Sequence, residues 1–501
     1  MAENRTSGTP LPRPAPQPGA EVAWEVLVDG GVGQGRGKGR GLEAGLREAV
    51  RAGRLGAGTQ LPSSRELAAD LGVSRGLVTD AYAQLTAEGY LISRQGAGTW
   101  VADGRQEPPR AAATFAADDR GGPDDLRPGL PDLALFPRAA WSAAYRRAMT
   151  ALPHRALGYP DPRGLPELRA ALAALLARRR GVAAEPDQVM VTSGVAQAHT
   201  LVGMVLHARG QRTTAVEDPG SPEHIRLLAA TGLTAVPVPV DAEGLSVAAL
   251  AASGVRSAVV TPCHQFPSGV AYSAARRSAL AGWARDSGGV VVEDDYDGDF
   301  RYDRQPVGAL QGLAPGHLVY TGSASKSLAP GLRLGWLVGP PDLVAEAAER
   351  KRTMDLGHSV VEQAVLADFL ACGAYDRQLR RCQRLYRARR DALVAALARY
   401  APGAEVSGIA AGLHAIVTLP ERYGPEPRFL AAAAAAGVTV RPLSHYRTSA
   451  GPHTAADDRV RLVVGYAHLP PEAITRAIRL LVPQPVRTAR RLSCEAREAG
   501  R

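Results

Sequence analysis

The segment YTGSASKSLAPGLRLGW, Tyr320–Trp336, contains the most informative residue of the chain, Lys326. The protein has 501 residues and 59 lysines and arginines, and only Lys38, Lys326 and Lys351 among these are lysines. Arginine can replace the charge of a lysine, but its guanidinium stays protonated and forms no Schiff base with an aldehyde. A lysine kept in this segment therefore indicates aldehyde chemistry, whereas we interpret Lys38 and Lys351 as chance survivors of the arginine bias.

The residues around Lys326 are those that a phosphorylated aldehyde requires. Ser323 and Ser325 offer hydroxyl groups to a phosphate, and Arg333 can bind it through two parallel hydrogen bonds. Small residues let the backbone approach, and Lys326 can condense with a neighbouring aldehyde. This set matches pyridoxal 5'-phosphate (PLP). The segment resembles the lysine segment of the fold-type I aminotransferases, S-x-S-K-x-x-x-P-G-x-R-x-G.

A second segment, VMVTSGVAQA, Val189–Ala198, is consistent with the same resemblance. It predicts a strand, a tight turn and the start of a helix, whose free backbone N–H groups form an anion site. The resemblance implies that this turn, with Ser193, Gly194 and Val195, holds the cofactor phosphate. An ordinary strand-to-helix connection is the alternative when the turn is considered alone.

A third segment, VVVEDDYDGDF, Val290–Phe300, predicts a buried parallel strand that ends in carboxylates, where open α/β sheets bind ligands. A buried aspartate that faces the pyridine nitrogen of PLP keeps this nitrogen protonated. The resemblance implies this role for Asp294, with Asp295 as the alternative, and implies that Tyr296 donates to the phenolic oxygen. Without the lysine segment, a solvated acidic loop or a divalent-metal site would be equally good interpretations. With it, we expect no metal.

Two segments depart from the family pattern. TPCHQFPSG, Thr261–Gly269, resembles a loop that often reads N-P-T-G, but Phe266 occupies the position of the asparagine that bonds the ring oxygen. The resemblance leaves His264 and Gln265 to supply this polar contact, and a structural role is the alternative for the histidine. Ser221 stands where related proteins often carry an aromatic residue that stacks on the cofactor ring.

The resemblance also implies contacts to a substrate and to a second subunit. Arg461, in DRVRLVVGYAHL, aligns with the arginine that binds a substrate α-carboxylate, and it shares a strand face with Arg459. A surface arginine is the alternative. Tyr159, in LGYPDPRGLPELR, aligns with a tyrosine that crosses a dimer interface to the neighbour's cofactor phosphate. We therefore expect a homodimer.

Residues 40–102 carry a separate pattern of three helices followed by two β segments around a glycine turn. Apolar residues of the second and third helices fall at helical spacing and predict a shared core. The residues LGVS between them supply the turn of a helix-turn-helix, and the β pair supplies the wing of a winged helix. The stretch LPSSRELAADLGVSRGLVTDAYAQLTAEGYL, residues 61–91, resembles the GntR class of bacterial transcription regulators.

This second resemblance implies that the third helix enters the major groove of double-stranded DNA and that the wing touches phosphates. Arginine binds both guanine and phosphate, and the sequence leaves both roles open. A small helical domain with solvated arginines is the alternative. The residues expected to contact the operator are Arg65, Ser74, Arg75, Thr79, Arg94, Gln95, Gly96 and Thr99.

Composition changes divide the chain into five parts. We predict a disordered Pro-rich tail over residues 1–20, a flexible linker over 103–126 and a C-terminal tail over 484–501. A small α+β winged helix-turn-helix domain over 21–102 precedes an α/β, fold-type I aminotransferase-like domain over 127–483.

The net charge of +10 favours a polyanionic partner. The chain has no signal segment and no long apolar run, so we expect a cytoplasmic protein without a membrane partner.

The combination of both domains resembles the MocR/GabR subfamily of GntR regulators. It predicts a PLP-dependent DNA-binding regulator that senses PLP, an amine or an amino acid, through loss of the link to Lys326. The alternative is an active PLP-dependent aminotransferase that carries a DNA-binding domain. The missing ring asparagine and aromatic stack favour regulation. A third hypothesis is a cofactor-free domain that serves only dimerisation.

Overall fold

The computed structural model describes residues 38–94, 96–103, 122, 124–302, 307–448 and 459–482. The chain divides into two compact units, which separate near residue 119. The predicted tails 1–20 and 484–501 and most of the predicted linker 103–126 lie outside the described residues. No helix in the described part of the chain is both long enough and apolar enough to cross a membrane.

The smaller unit consists of three helices and a three-stranded antiparallel sheet with the strand order β1-β3-β2. The helix that follows β1 begins at a capping box, in which the side chains of Ser63 and Glu66 each bond the other's backbone N–H. Leu67, Val78 and Leu85 belong to its buried core. The elements are α1 (Lys38–Arg51), β1 (Gln60–Leu61), α2 (Ser64–Asp70), α3 (Arg75–Ala87), β2 (Leu91–Arg94) and β3 (Gly98–Val101).

The larger unit is built on an eight-stranded sheet with the order β4-β11-β10-β9-β8-β5-β6-β7. Its strands are β4 (Val189–Thr192), β5 (Thr213–Asp218), β6 (Thr234–Asp241), β7 (Gly244–Leu245), β8 (Ser257–Val260), β9 (Val290–Asp294), β10 (Leu318–Ser323) and β11 (Gly335–Val338). Only β7 and β11 run against the common direction. The parallel strands are rich in apolar residues because both faces of the sheet are covered.

Helices pack on both faces of this sheet. Successive strand residues point to opposite faces, so Val291 joins the core that contains Leu280, whereas Val292 joins the core that contains Leu343. The helices of this layer are α4 (Arg138–Ala151), α5 (Pro166–Arg180), α6 (Gly194–Ala208), α7 (Pro222–Ala229), α8 (Val247–Ala252), α9 (Ala274–Ser287), α10 (Pro341–Asp355) and α11 (Val360–Ala371).

The last part of the larger unit is an antiparallel four-stranded sheet with the order β12-β13-β15-β14. The long helix α12 (Ala374–Tyr400) leads into it and packs against the last helix. The remaining elements are β12 (Glu405–Ser407), β13 (His414–Thr418), α13 (Glu426–Ala435), β14 (Arg441–Pro442), β15 (Arg461–Gly465) and α14 (Pro471–Leu481). The α/β architecture preceded by a winged helix agrees with the predicted fold class.

Candidate functional site

The predicted site residues gather where the parallel strands of the eight-stranded sheet end. Ser193 follows β4, Asp294 is the last residue of β9, and Lys326 lies in the turn after β10. His264 lies in the turn after β8. Parallel strands end at the same edge of a sheet, and ligands of open α/β sheets bind at this edge. The fold therefore brings together segments that are far apart in the sequence.

The Lys326 side chain is half-buried, and its Nζ donates a hydrogen bond to the carbonyl oxygen of Gly129. Burial lowers the pKa of Lys326, and the opposing charges of Asp297 and Asp294 do not fully offset this effect. A lower pKa increases the neutral, nucleophilic fraction of an amine. Gly129 was missed by the sequence analysis. The Pro128-Gly129 pair is typical of a turn, but no local pattern indicates a contact with Lys326.

Asp294 is a buried carboxylate in which only one oxygen accepts a hydrogen bond from the described residues. His224 Nε2 donates to Asp294 Oδ2 over 3.0 Å, whereas Asp294 Oδ1 is buried and has no hydrogen-bond partner among the described residues. Burial would raise the pKa of Asp294, but the hydrogen bond from His224 and the nearby charge of Lys326 contribute to holding it below its ordinary value. Asp294 is therefore ionised at neutral pH, and its Oδ1 can accept a hydrogen bond from a protonated nitrogen of a ligand.

The other carboxylates of the acidic loop have arginine or histidine partners. Arg180 donates to both oxygens of Asp295, over 2.6 and 3.0 Å, and both side chains are only 3% exposed. Two further contacts join His264 to Asp297 at 2.9 Å and Arg179 to Asp299 at 3.0 Å. The alternative of a solvated acidic loop does not describe this arrangement. Asp294, unlike Asp295, keeps a buried oxygen available.

Tyr296 and His264 bond to each other and to the protein. The Tyr296 hydroxyl donates to the main-chain oxygen of His264 over 2.9 Å and lies 3.0 Å from its Nδ1. His264 Nδ1 lies 2.9 Å from Asp297, and its Nε2 lies 3.2 Å from the Gly408 oxygen. Gln265 donates to the Pro219 oxygen over 2.9 Å. Any contact of these predicted residues with a cofactor oxygen would replace one of these bonds.

Ser193, Gly194 and Val195 form the predicted phosphate turn at the start of α6. Arg333 Nη2 donates to the Ser193 oxygen over 2.5 Å. A Cβ atom at Gly194 would lie only 3.0 Å from Arg333 Nη1, and Gly194 has a φ of +75° that also favours glycine. The Ser193 N–H donates to Gln197 Oε1 over 2.7 Å. The helix N-terminus and the guanidinium are both positively charged, which is the charge that the predicted phosphate contact requires.

The remaining predicted residues of the larger unit lie in three places. Ser323 and Ser325 are half-buried, and the Ser325 N–H donates to Ser323 Oγ over 3.4 Å in the turn before Lys326. Tyr159 lies between α4 and α5, and its side chain is 88% exposed. Arg461 is the first residue of β15 in the four-stranded sheet and is half-buried. Tyr159 makes no hydrogen bond with the described residues of the cluster around Lys326.

Two histidines near the site are buried and stay neutral. Burial lowers the pKa of His199 to about 4 and that of His414 to about 3. His199 Nε2 lies 3.2 Å from Thr321 Oγ1, and His414 Nε2 donates to the Pro267 oxygen over 3.0 Å. Both histidines therefore act as uncharged parts of the packing at neutral pH.

The predicted DNA-binding residues of the helix-turn-helix lie on the surface of the smaller unit. Arg65, Ser74, Arg75 and Thr79 are exposed. Ser74 Oγ accepts the Leu77 N–H over 3.3 Å and so caps α3. Thr79 Oγ1 donates to the Arg75 oxygen over 3.0 Å. The arginines at the start of α2 and α3 are thus presented to the solvent, which is where a groove-binding helix needs them.

The predicted wing is formed by β2, β3 and the turn between them. Arg94 is exposed and lies over the Trp100 ring, with its guanidinium carbon 5.5 Å from the ring centroid. Gly96 in the turn is exposed, and Thr99 is half-buried with its hydroxyl 3.2 Å from Ser93 Oγ. Gln95 lies outside the described residues. The described tip of the wing carries one positive charge.

Comparisons with known proteins assign both units to known families. The model of the family "Bacterial regulatory proteins, gntR family" matches residues 38–101, and that of "Aminotransferase class I and II" matches residues 131–481. The pyridoxine biosynthesis transcriptional regulator PdxR of Corynebacterium glutamicum is 34% identical over 80% of this chain and 86% of its own length. The probable rhizopine catabolism regulatory protein MocR of Rhizobium meliloti is 34% identical over 87% of this chain and 91% of its own length.

A solved structure is similar to the larger unit. It is α-aminoadipate aminotransferase LysN of Thermus thermophilus, complexed with N-(5'-phosphopyridoxyl)-L-leucine. It is 26% identical, has a TM-score of 0.62 and covers 72% of this chain and 90% of its own. The larger unit therefore has the aminotransferase fold.

Proposed function

Because the chain belongs to the MocR-like transcriptional regulators, in which a GntR domain precedes an aminotransferase class I and II domain, we propose that it binds PLP and that the state of this site controls operator binding. The observation that carries the proposal is the pair of Lys326 and Asp294, an amine and a carboxylate with an unpartnered buried oxygen, at one edge of the sheet.

The donor set of the site fits PLP. When bound, PLP supplies an aldehyde that links covalently to amines and a ring that withdraws electrons. Lys326 is the amine for this link, and its lowered pKa favours the neutral form. Asp294 Oδ1 would accept a hydrogen bond from the protonated ring nitrogen. The backbone N–H groups of the turn at Gly194, together with Arg333, would hold the phosphate.

The contact between Lys326 and Gly129 supports a link between the site and DNA binding. Gly129 lies only a few residues after the predicted linker 103–126, which leads to the DNA-binding unit. An amine effector that takes the place of Lys326 would free Nζ to donate to the Gly129 oxygen, as it does in this structure. The effector would thus change a contact near the N-terminal end of the larger unit, and only such a differential contact can shift an equilibrium.

Regulation is favoured over catalysis by the residues around the ring site. Phe266 packs edge-on against Tyr446 and Tyr296, with ring centroids 5.1 and 5.9 Å apart, where an aminotransferase would have its asparagine. Ser221 supplies no aromatic ring, and two relatives that match 80% and 87% of the chain are named as regulators. We therefore interpret the larger unit as a sensor for PLP or for an amine or amino acid.

The proposal is tested with the full-length protein, PLP and DNA from the region upstream of its own gene. We expect a visible absorption band with PLP, and a DNA affinity that changes when PLP or an effective amine is added. Lys326→Ala and Lys326→Arg, which keeps the charge without the nucleophile, are expected to lose both responses. The proposal would be contradicted by the absence of the band, or by a DNA affinity that is unchanged by PLP and by all amines. Repeated formation of keto acid per site would support the aminotransferase alternative.

A further inference from the structure

Lys351 is a buried lysine close to the phosphate turn. Its side chain has 0% exposure, and its Nζ donates to Asp355 Oδ2 over 2.7 Å and to Gln197 Oε1 over 3.3 Å. A buried ammonium requires such partners, because its desolvation is costly. From the sequence alone Lys351 is interpreted as a chance survivor of the arginine bias, but the structure places it in a closed network with two polar side chains.

This network determines the orientation of the Gln197 amide. Gln197 Nε2 donates to Asp355 Oδ2 over 2.7 Å. A carboxylate only accepts hydrogen bonds, so the NH₂ group of Gln197 must face Asp355 and its oxygen must face the other way. This oxygen accepts the N–H of Ser193 over 2.7 Å, at the first residue of the phosphate turn. Lys351 therefore acts on the turn through Gln197.

The geometry also explains why an arginine does not replace Lys351. The lysine ammonium is compact and needs only one oxygen of Asp355, because Oδ1 already accepts the Gly357 N–H over 2.9 Å. A guanidinium is larger and planar and binds carboxylates through both oxygens. It would compete with Gly357 and with Gln197 for Asp355. A buried lysine is thus required in a chain that otherwise uses arginine.

Asp355 connects the same network to the segment that carries Tyr159. Leu356 and Gly357 both have positive φ values, +58° and +114°, at the end of α10. A Cβ atom at Gly357 would lie 2.7 Å from Pro160 Cγ, so this turn packs directly against the residue after Tyr159. The bond from the Gly357 N–H to Asp355 holds this strained turn in place.

We propose that Lys351 is a positioning residue for the cofactor phosphate, which holds the Ser193 turn through Gln197 and the Tyr159 segment through Asp355. The inference rests on the proposed binding of PLP. It assigns Lys351 no contact with the cofactor. Its loss should therefore weaken the recognition of the phosphate group specifically, and should leave the ring and aldehyde contacts at Asp294 and Lys326 as they are.

The test compares the affinities of the full-length protein for PLP and for pyridoxal, which lacks the phosphate. Lys351→Met and Gln197→Met are each expected to weaken PLP binding about tenfold or more and to leave pyridoxal binding unchanged. Lys351→Arg should not restore PLP binding. Arg352→Met is the matched control, because Arg352 is the next residue of the same helix and its side chain is 57% exposed.

Thermal unfolding of the cofactor-free variants monitors folding, and Gln197→Met provides the test should Lys351→Met not fold. The inference is overturned if the Lys351 and Gln197 variants bind PLP like the wild type, or if they lose PLP and pyridoxal binding equally. A wild-type protein that binds neither compound, or that does not prefer PLP over pyridoxal, would instead contradict the proposed function itself.

Discussion

Asp294 and Asp295 are adjacent residues of the same type, but their carboxylates have different hydrogen-bond partners. Asp295 is bonded on both oxygens by Arg180 and also accepts the Tyr320 hydroxyl over 2.6 Å. Asp294 accepts one hydrogen bond, from His224, and its other oxygen has no partner among the described residues. A fully bonded carboxylate serves the structure, whereas a buried and incompletely bonded one is available to a ligand.

We expect Asp294→Asn to lose affinity for PLP and Asp295→Asn to lose stability. Asp294→Asn removes the charge that would hold the ring nitrogen protonated, so the PLP affinity in an absorbance titration should fall about tenfold or more. Asp295→Asn leaves the buried Arg180 without its counterion, so the free energy of unfolding in urea should fall by about 3–5 kcal/mol. The assignment is wrong if Asp295→Asn folds normally and loses more PLP affinity than Asp294→Asn.

At the scale of secondary-structure elements, the two helices of the helix-turn-helix begin with serine caps. Ser63 Oγ accepts the Glu66 N–H at the start of α2, and Ser74 Oγ accepts the Leu77 N–H at the start of α3. Both bonds satisfy backbone donors that a helix leaves free at its N-terminus. Only Ser74 was also predicted to contact DNA.

The two serine caps form a matched pair of substitutions. Ser63→Ala and Ser74→Ala should each lower the stability of the DNA-binding unit by about 1 kcal/mol, because each removes one cap. If Ser74 contacts the operator, Ser74→Ala should in addition weaken operator binding in a DNA-shift titration, while Ser63→Ala should not. Equal DNA affinities of the two variants would limit Ser74 to its capping role.

The strand β13 contributes His414, a buried neutral histidine, to the pH dependence of stability. Burial lowers the pKa of His414 to about 3 from an unfolded value of 6.5. The unfolded state therefore binds an additional proton between these values, and the stabilisation present above pH 6.5 is lost as the pH falls.

We predict that His414→Gln removes this contribution. The stability advantage of the wild type over His414→Gln should shrink by about 1.4 kcal/mol for each pH unit below about 6. Urea unfolding of both proteins at several pH values measures this difference. The contributions of other buried acids, such as Glu293, are the same in both proteins and cancel in the difference. The same substitution at the exposed His154 serves as the control for a change at the surface. A stability difference between the wild type and His414→Gln that does not change with pH would contradict the prediction.

At the scale of the whole molecule, Tyr159 bears on assembly. Its side chain is 88% exposed in the single chain, next to a loop that packs on the turn at Gly357. This exposure leaves both the ring and the hydroxyl of Tyr159 accessible to a second subunit. The exposure is consistent with the predicted homodimer, in which each tyrosine would complete the site of the other subunit.

Mixed dimers test this shared site. Lys326→Ala dimers should form no covalent link with PLP, and Tyr159→Phe dimers should bind PLP about tenfold more weakly. In a mixed dimer, the Tyr159→Phe chain supplies Lys326 to its own site, and the Lys326→Ala chain supplies Tyr159 to that same site. One of the two sites of each mixed dimer should therefore regain wild-type affinity. Mixing Tyr159→Phe with the double variant restores no complete site and is the control. No recovery in the first mixture would place Tyr159 in the site of its own chain.

Local sequence patterns were sufficient for much of the fold and for part of the site. The lysine segment around Lys326, the turn at Ser193 and the strand that ends at Asp294 were each identified from neighbouring residues, as was the winged helix. Each of these signals depends on strand ends, turns and helix starts, which are encoded within about ten residues of the chain. These patterns also placed the DNA-binding unit before the aminotransferase-like unit.

Local patterns were thus enough for the fold class, the order of the two units and the lysine on which the proposed site depends. The long-range partners are visible only in the folded chain: Gly129 for Lys326, 197 positions away, and Gln197 for Lys351, 154 positions away. It also distinguished Asp294 from Asp295, because Arg180 comes from a helix 115 positions earlier. Such contacts arise when the sheet brings remote strand ends to one edge, and no local pattern encodes which side chains then meet.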